Sequence, residues 1–136
     1  MPAAVPEIFL FLPISVTAAG LFYAGVVDLV GTWHLVEWRF GDDHPLGADA
    51  VGRLIYSADG FMAAFLARSD GFSDAMAYSG AWELRGGEEV VHHVSVSTRP
   101  SFVGRELVRS VLWSDDELVL TTPPPVNVLR WRRAGG

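Results

Sequence analysis

From Leu29 onward, apolar and polar residues alternate with a period of two, in short runs that end at turn-forming residues every eight to twelve positions. That pattern predicts eight strands, over residues 29–40, 51–57, 61–67, 78–85, 88–97, 106–113, 117–122 and 128–133. Ala58-Asp59-Gly60 reads as a hairpin turn because Asp and Gly tolerate positive φ, and Gly86-Gly87 and Asp115-Asp116 read as two more. The polar run "RSDGFSDAM" is expected to form a longer connection covering one end of the fold, and "STRPSFVG" an irregular corner. Eight strands joined mostly as hairpins predict an all-β fold, a closed up-and-down antiparallel barrel, with an interior large enough for a small ligand.

Alternation also predicts which side chains face inward. In the fifth strand His92 shares a face with Val90, Val94 and Val96, whereas His93 shares one with Val91, Ser95 and Ser97. His92 is therefore expected inside and His93 outside. The same parity puts Tyr56, Met62, Tyr78 and Trp82 on inner faces, and sets Arg109 among Leu107, Val111 and Trp113. In the first strand Trp33 brings Leu35, Glu37 and Arg39 to its face, while Trp38 falls with His34 and Val36 and is expected on the outer wall. The predicted ligand set is thus Tyr56, Met62, Tyr78, Trp82, Trp113 and Glu37, with His92 and Arg109 as the chemically active pair.

Before Asp28 the pattern changes. Residues 1–26 form an apolar extension, and Ile8 to Val27 carries no charge over a length that spans a bilayer as a helix. Pro13, interior glycines and the lack of basic flanks weigh against a membrane span or an export leader. The alternatives are an apolar arm that docks on the barrel as a lid, a plug or a homodimer contact, and a translation start set upstream of the true domain.

The 136 residues suit one barrel domain at 27–136. A net charge of −6 repels phosphate backbones and argues against nucleic acid as a partner. All ten basic residues are Arg, a bias expected of a GC-rich bacterial genome. A cytoplasmic location is expected, with export or membrane attachment left open. The chain has no Cys, which excludes thiolate chemistry. Adjacent His92 and His93 point to opposite faces, so no metal site is expected. No cofactor is expected either, since nucleophile-elbow, phosphate-loop, zinc-helix and nicotinamide motifs are lacking.

The segments "LVGTW", "GRLIYSADGFM", "VVHHVSVSTRPSFVG" followed by Arg109, "LVLTTPP" and "LRW", in that order, resemble the lipocalin-like domain family over roughly residues 27–133. The resemblance implies that Gly31 and Trp33 belong to the barrel closure together with Trp131. It also implies that Trp33 closes one end near a basic residue of the last strand, for which Arg130, Arg132 and Arg133 are the candidates. It implies little about activity. The expected partner is a small hydrophobic molecule. The leading expectation is a cofactor-independent cyclase or isomerase of natural-product biosynthesis, in which Arg109 polarises a carbonyl and His92 moves a proton. The rival is a carrier or sensor that leaves its ligand unchanged. For His92 the alternative role is a core histidine held by a carbonyl or a Tyr hydroxyl, and for Arg109 an internal ion pair with Glu37 or Glu83.

Overall fold

The computed structural model describes residues 14–18, 21–24, 28–114, 116–122 and 126–135. Among the described residues, strands β1 (Ile14–Ala18) and β2 (Leu21–Ala24) pair with each other as a two-stranded antiparallel sheet. The expectations for residues 1–26 as lid, plug or leader otherwise lie outside the described residues. Among the described residues no helix is long and apolar enough to cross a membrane.

The remaining strands are β3 (Gly31–Phe40), β4 (Val51–Tyr56), β5 (Phe61–Arg68), β6 (Gly71–Arg85), β7 (Glu89–Ser97), β8 (Glu106–Trp113), β9 (Glu117–Thr121) and β10 (Asn127–Arg133). Each pairs antiparallel with its sequence neighbour, and β10 returns to β3, closing an eight-stranded barrel. A closed ring leaves no free sheet edge, so a chain this short satisfies its ladder without covering helices. Gly86 and Gly87 turn β6 into β7 with φ of 67° and 75°, values costly for any side chain.

One expected connection is a strand instead. Residues 71–77 extend β6, and the chain reverses at Ser69-Asp70, so "RSDGFSDAM" does not form a separate cap over the barrel end. The polar residues of that run sit on the water-facing side of an extended segment, where Phe72 is 70% exposed and tilts against Phe65.

The core is the barrel interior. Trp33, Leu54, Tyr56, Val90, His92, Leu118 and Trp131 are almost fully removed from water. The family resemblance left three arginines as partners of Trp33, and the structure selects Arg133. Its guanidinium lies 4.2 Å from the Trp33 ring centre and donates to the carbonyls of Asp28 and Val30. Trp33 itself donates to Leu29 O at 3.0 Å. This cation–π contact and its hydrogen bonds seal one end of the barrel.

Of the barrel's register shifts, those in β3 and β7 move residues singled out from the sequence between inside and outside. In β3, Leu35 pairs with Trp131 but Glu37 pairs with Arg130, so Val36 is an extra residue. Past that bulge the parity reverses. Trp38 and Phe40 face the lumen, and Glu37 and Arg39 leave it. In β7, Gly80 pairs with Val94 while Ser79 pairs with Val96, which makes Ser95 the extra residue and turns Val96 out to 60% exposure. Gly80 permits the close approach, because a Cβ there would lie 1.7 Å from His93 O.

Candidate functional site

At the end of the barrel away from the Trp33 seal, the lumen holds a chamber of about 350 Å³. Aliphatic side chains of β4, β5, β6 and β9, including Leu54, Leu66, Met76 and Leu120, form much of its wall. His92, Tyr78 and Arg109 bring the polar groups into it from β7, β6 and β8. Around its mouth stand Trp38, Phe40, Pro45, Arg99, Phe102 and Asn127. Phe102 comes from the short 3-10 turn at Pro100–Phe102, meets Tyr78 edge-on and lies under the guanidinium groups of Arg99 and Arg105.

His92 sits at the floor of the chamber, 1% exposed, between two phenols. Tyr56 Oη lies 2.7 Å from Nε2, and Tyr78 Oη lies 2.7 Å from Nδ1. Burial pushes the His92 pKa down to about 3, and the positive charges of Arg109 and His93 act in the same sense. Burial pushes Tyr78 up to about 12 and Tyr56 well above the usual phenol range, with the charge of Arg109 opposing both shifts. At neutral pH the three groups are therefore an uncharged hydrogen-bonded chain beside one cation.

Arg109 is half-buried, and its one hydrogen bond within the described residues runs from Nη1 to Val108 O at 3.2 Å. Neither carboxylate considered as its partner reaches it. Glu37 is engaged by Arg130 at 3.2 Å, His44 at 2.9 Å and Arg39 at 3.5 Å, and Glu117 joins the same outer-wall network through Arg130. A hydrogen bond from His44, followed by the bond from Arg130 and the charge of Arg39, holds the Glu37 carboxyl below its usual range against the opposing effect of burial. Glu83 pairs with His93 at 2.8 Å on the outside.

Of the residues expected in the site, His92, Arg109 and Tyr78 line the chamber together. Tyr56 lies one layer behind, touching His92 and packed 4.8 Å from the Trp82 ring. Trp82 donates to Ser57 O, and Met62 is buried beside Tyr56, so both fill the interior rather than the chamber. Trp113 packs half-buried against the core from β8. Glu37 is outside because of the Val36 bulge. Trp131, expected as a closure residue, also lines the chamber. Trp38, Phe40, Arg99, Phe102 and Asn127 were not anticipated there. For the first two a signal existed: Leu35 and Trp38 are three apart, an interruption of period two that an inserted residue explains.

The described residues contain no cluster of His, Asp or Glu arranged to hold a metal ion. The chamber offers hydrogen-bond donors inside an apolar wall, which fits a lipocalin-like barrel for a small hydrophobic ligand.

Curated proteins include no match to the chain. Among solved structures, the lipoprotein YedD of Klebsiella pneumoniae is similar at 14% identity and a TM-score of 0.46, covering 91% of this chain and 82% of that one. Two variants of the fluorescent protein UnaG are similar at 19% and 18% identity with TM-scores of 0.49 and 0.48, each covering 79% of this chain and 97% of the other. The family profile described as the lipocalin-like domain matches residues 30–72 and 70–134, nearly the whole barrel. The chain belongs to the lipocalin-like domain family.

Proposed function

We propose that this protein binds a small, mostly apolar molecule in the chamber and releases it unchanged, as a carrier or sensor, with Arg109 meeting an oxygen of the ligand. The observation that supports this reading is a guanidinium placed in an apolar chamber with no carboxylate partner among the described residues. A guanidinium carries five N–H donors, and one removed from bulk water requires acceptors. Val108 O takes one donor, which leaves the rest of the fork for a ligand. The volume of about 350 Å³ falls within the span of small-molecule sites.

The cyclase or isomerase reading asks His92 to move a proton. Its two ring nitrogens are both engaged by tyrosines, and its pKa is pushed down to about 3, so the imidazolium that such a step passes through is strongly disfavoured. Retention without turnover asks nothing of His92 beyond its place in the floor.

Two fluorescent probes test the reading, cis-parinaric acid and the hydrocarbon diphenylhexatriene. Saturable binding of both, recovery of parinarate with its mass unchanged, and a loss of about tenfold in parinarate affinity for Arg109→Gln at an unaltered melting temperature are expected. Failure of both probes to bind overturns the proposal. Conversion of a bound compound, abolished in His92→Gln, transfers the case to the cyclase or isomerase.

A further inference from the structure

The Tyr56, His92 and Tyr78 chain has a fixed number of protons. With both phenols and the imidazole uncharged, it holds three: one on each hydroxyl and one on the ring. It contains two hydrogen bonds. One proton is therefore left over, and it must sit at one end of the chain. A neutral imidazole donates from one nitrogen and accepts at the other, so the two possible arrangements differ in which tyrosine keeps the spare O–H.

The two ends are not equivalent. Tyr56 is 1% exposed, its ring is packed against Trp82, and its hydroxyl has no partner among the described residues other than His92. A spare O–H there would be buried without an acceptor, which is the costly arrangement. Tyr78 lines the chamber, where an occupant can accept the proton.

We infer that the chain is polarised toward the lumen: Tyr56 donates to Nε2, Nδ1–H donates to Tyr78 Oη, and the Tyr78 O–H is the ligand's hydrogen-bond donor. Resting on the reading that the chamber holds a small molecule, this sets the chemical class of that molecule: an apolar body whose polar end is an acceptor oxygen, as in a carboxylate, enolate or ketone. A further observation agrees. The side-chain oxygen of Asn127 at the mouth already accepts from Trp38 Nε1 at 2.9 Å. The lumen thus presents donors from Tyr78 and Arg109, while its side-chain acceptors are taken. An amine or amidine head would meet a cation and no free acceptor. His92 acts here as a positioning residue, since it fixes which way the Tyr78 hydroxyl points.

The direction of the chain is read from the ring-nitrogen signals of His92 in the unsubstituted, nitrogen-15-labelled protein. Nδ1 protonated and Nε2 bare is expected; the opposite tautomer overturns the inference. The ligand class is read by displacement of diphenylhexatriene from the same protein, where dodecanoate is expected to compete and dodecylamine not. Equal competition by both overturns it. In Tyr78→Phe, cis-parinarate affinity is expected to fall about tenfold with diphenylhexatriene unaffected, and an equal effect on both probes overturns the role of the hydroxyl. If neither fluorescent probe binds the unsubstituted protein, the binding proposal and the ligand class fall together, while the nitrogen signals still decide the direction of the chain.

Discussion

Replacing His92 by Gln is expected to change how stability depends on pH more than how large it is. In the folded protein the His92 pKa is pushed from 6.5 down to about 3. An unfolded chain binds a proton at this residue below pH 6.5, while the folded chain refuses it until about pH 3. The stability that depends on a neutral His92 is therefore complete above pH 6.5 and is lost as pH falls from there toward 3. Each pH unit inside that window is worth about 1.4 kcal/mol, so between pH 7.5 and pH 5 the loss is about 2 kcal/mol. Against a total stability on the order of 5–15 kcal/mol for a domain, that is easily measured.

Gln suits the comparison because its amide oxygen can accept from Tyr56 and its amide N–H donate to Tyr78, yet it does not titrate. Imperfect geometry is expected to cost the variant about 1–2 kcal/mol at pH 7.5. Urea unfolding followed by fluorescence of the five tryptophans, repeated at pH 7.5, 6.5, 5.5 and 5, gives both stability curves. The difference between them is expected to shift by about 2 kcal/mol in favour of the variant toward pH 5, so that the parent's advantage at pH 7.5 closes or reverses. The ion pairs His44–Glu37 and His93–Glu83 are common to both proteins and cancel in the difference. Parallel curves would refute the reasoning, since they would mean that folded His92 accepts a proton as readily as the unfolded chain does.

Other substitutions probe the frame that holds the site. Gly80→Ala places a methyl group 1.7 Å from His93 O, so β6 and β7 must separate beside His92; a loss of more than about 3 kcal/mol is expected in urea unfolding, and a loss under about 1 kcal/mol would deny that this approach fixes the bulge. Trp33→Ala empties a fully buried site and removes the ring beneath the Arg133 guanidinium, with an expected cost of about 3–5 kcal/mol and a matching fall in thermal midpoint. The division into an apolar arm at 1–26 and a barrel at 27–136 predicts that residues 27–136 fold alone, because all eight barrel strands and the Trp33 seal lie from Asp28 onward. A β-type circular dichroism spectrum with a cooperative melt is expected, and aggregation would refute it. Should diphenylhexatriene bind this shorter chain as tightly as the full one, the arm is not a lid.

The barrel was legible because period-two alternation is a property of neighbouring residues, and β4, β8 and β5 as far as Leu66 obey it without interruption. Gly52, Leu54 and Tyr56 turn inward in β4, and Met62, Ala64 and Leu66 in β5, as alternation requires. Parity carried His92 and Arg109 to the lumen for the same reason. It failed where a bulge inserts one residue, at Val36 and at Ser95, because each bulge is stabilised by a partner strand rather than by its own sequence. The bulge at Val36 has the largest consequence, because strict alternation puts Glu37 beside Arg109 and turns Trp38 and Phe40 away from the lumen. Glu37 in the chamber would have neutralised Arg109 as an internal ion pair. With Glu37 drawn outside by Arg130, Arg39 and His44, the guanidinium keeps its donors, and the chamber gains two aromatic walls in place of a carboxylate. A single extra residue in β3 thus separates a barrel braced by an internal ion pair from one whose lumenal guanidinium has no carboxylate partner among the described residues.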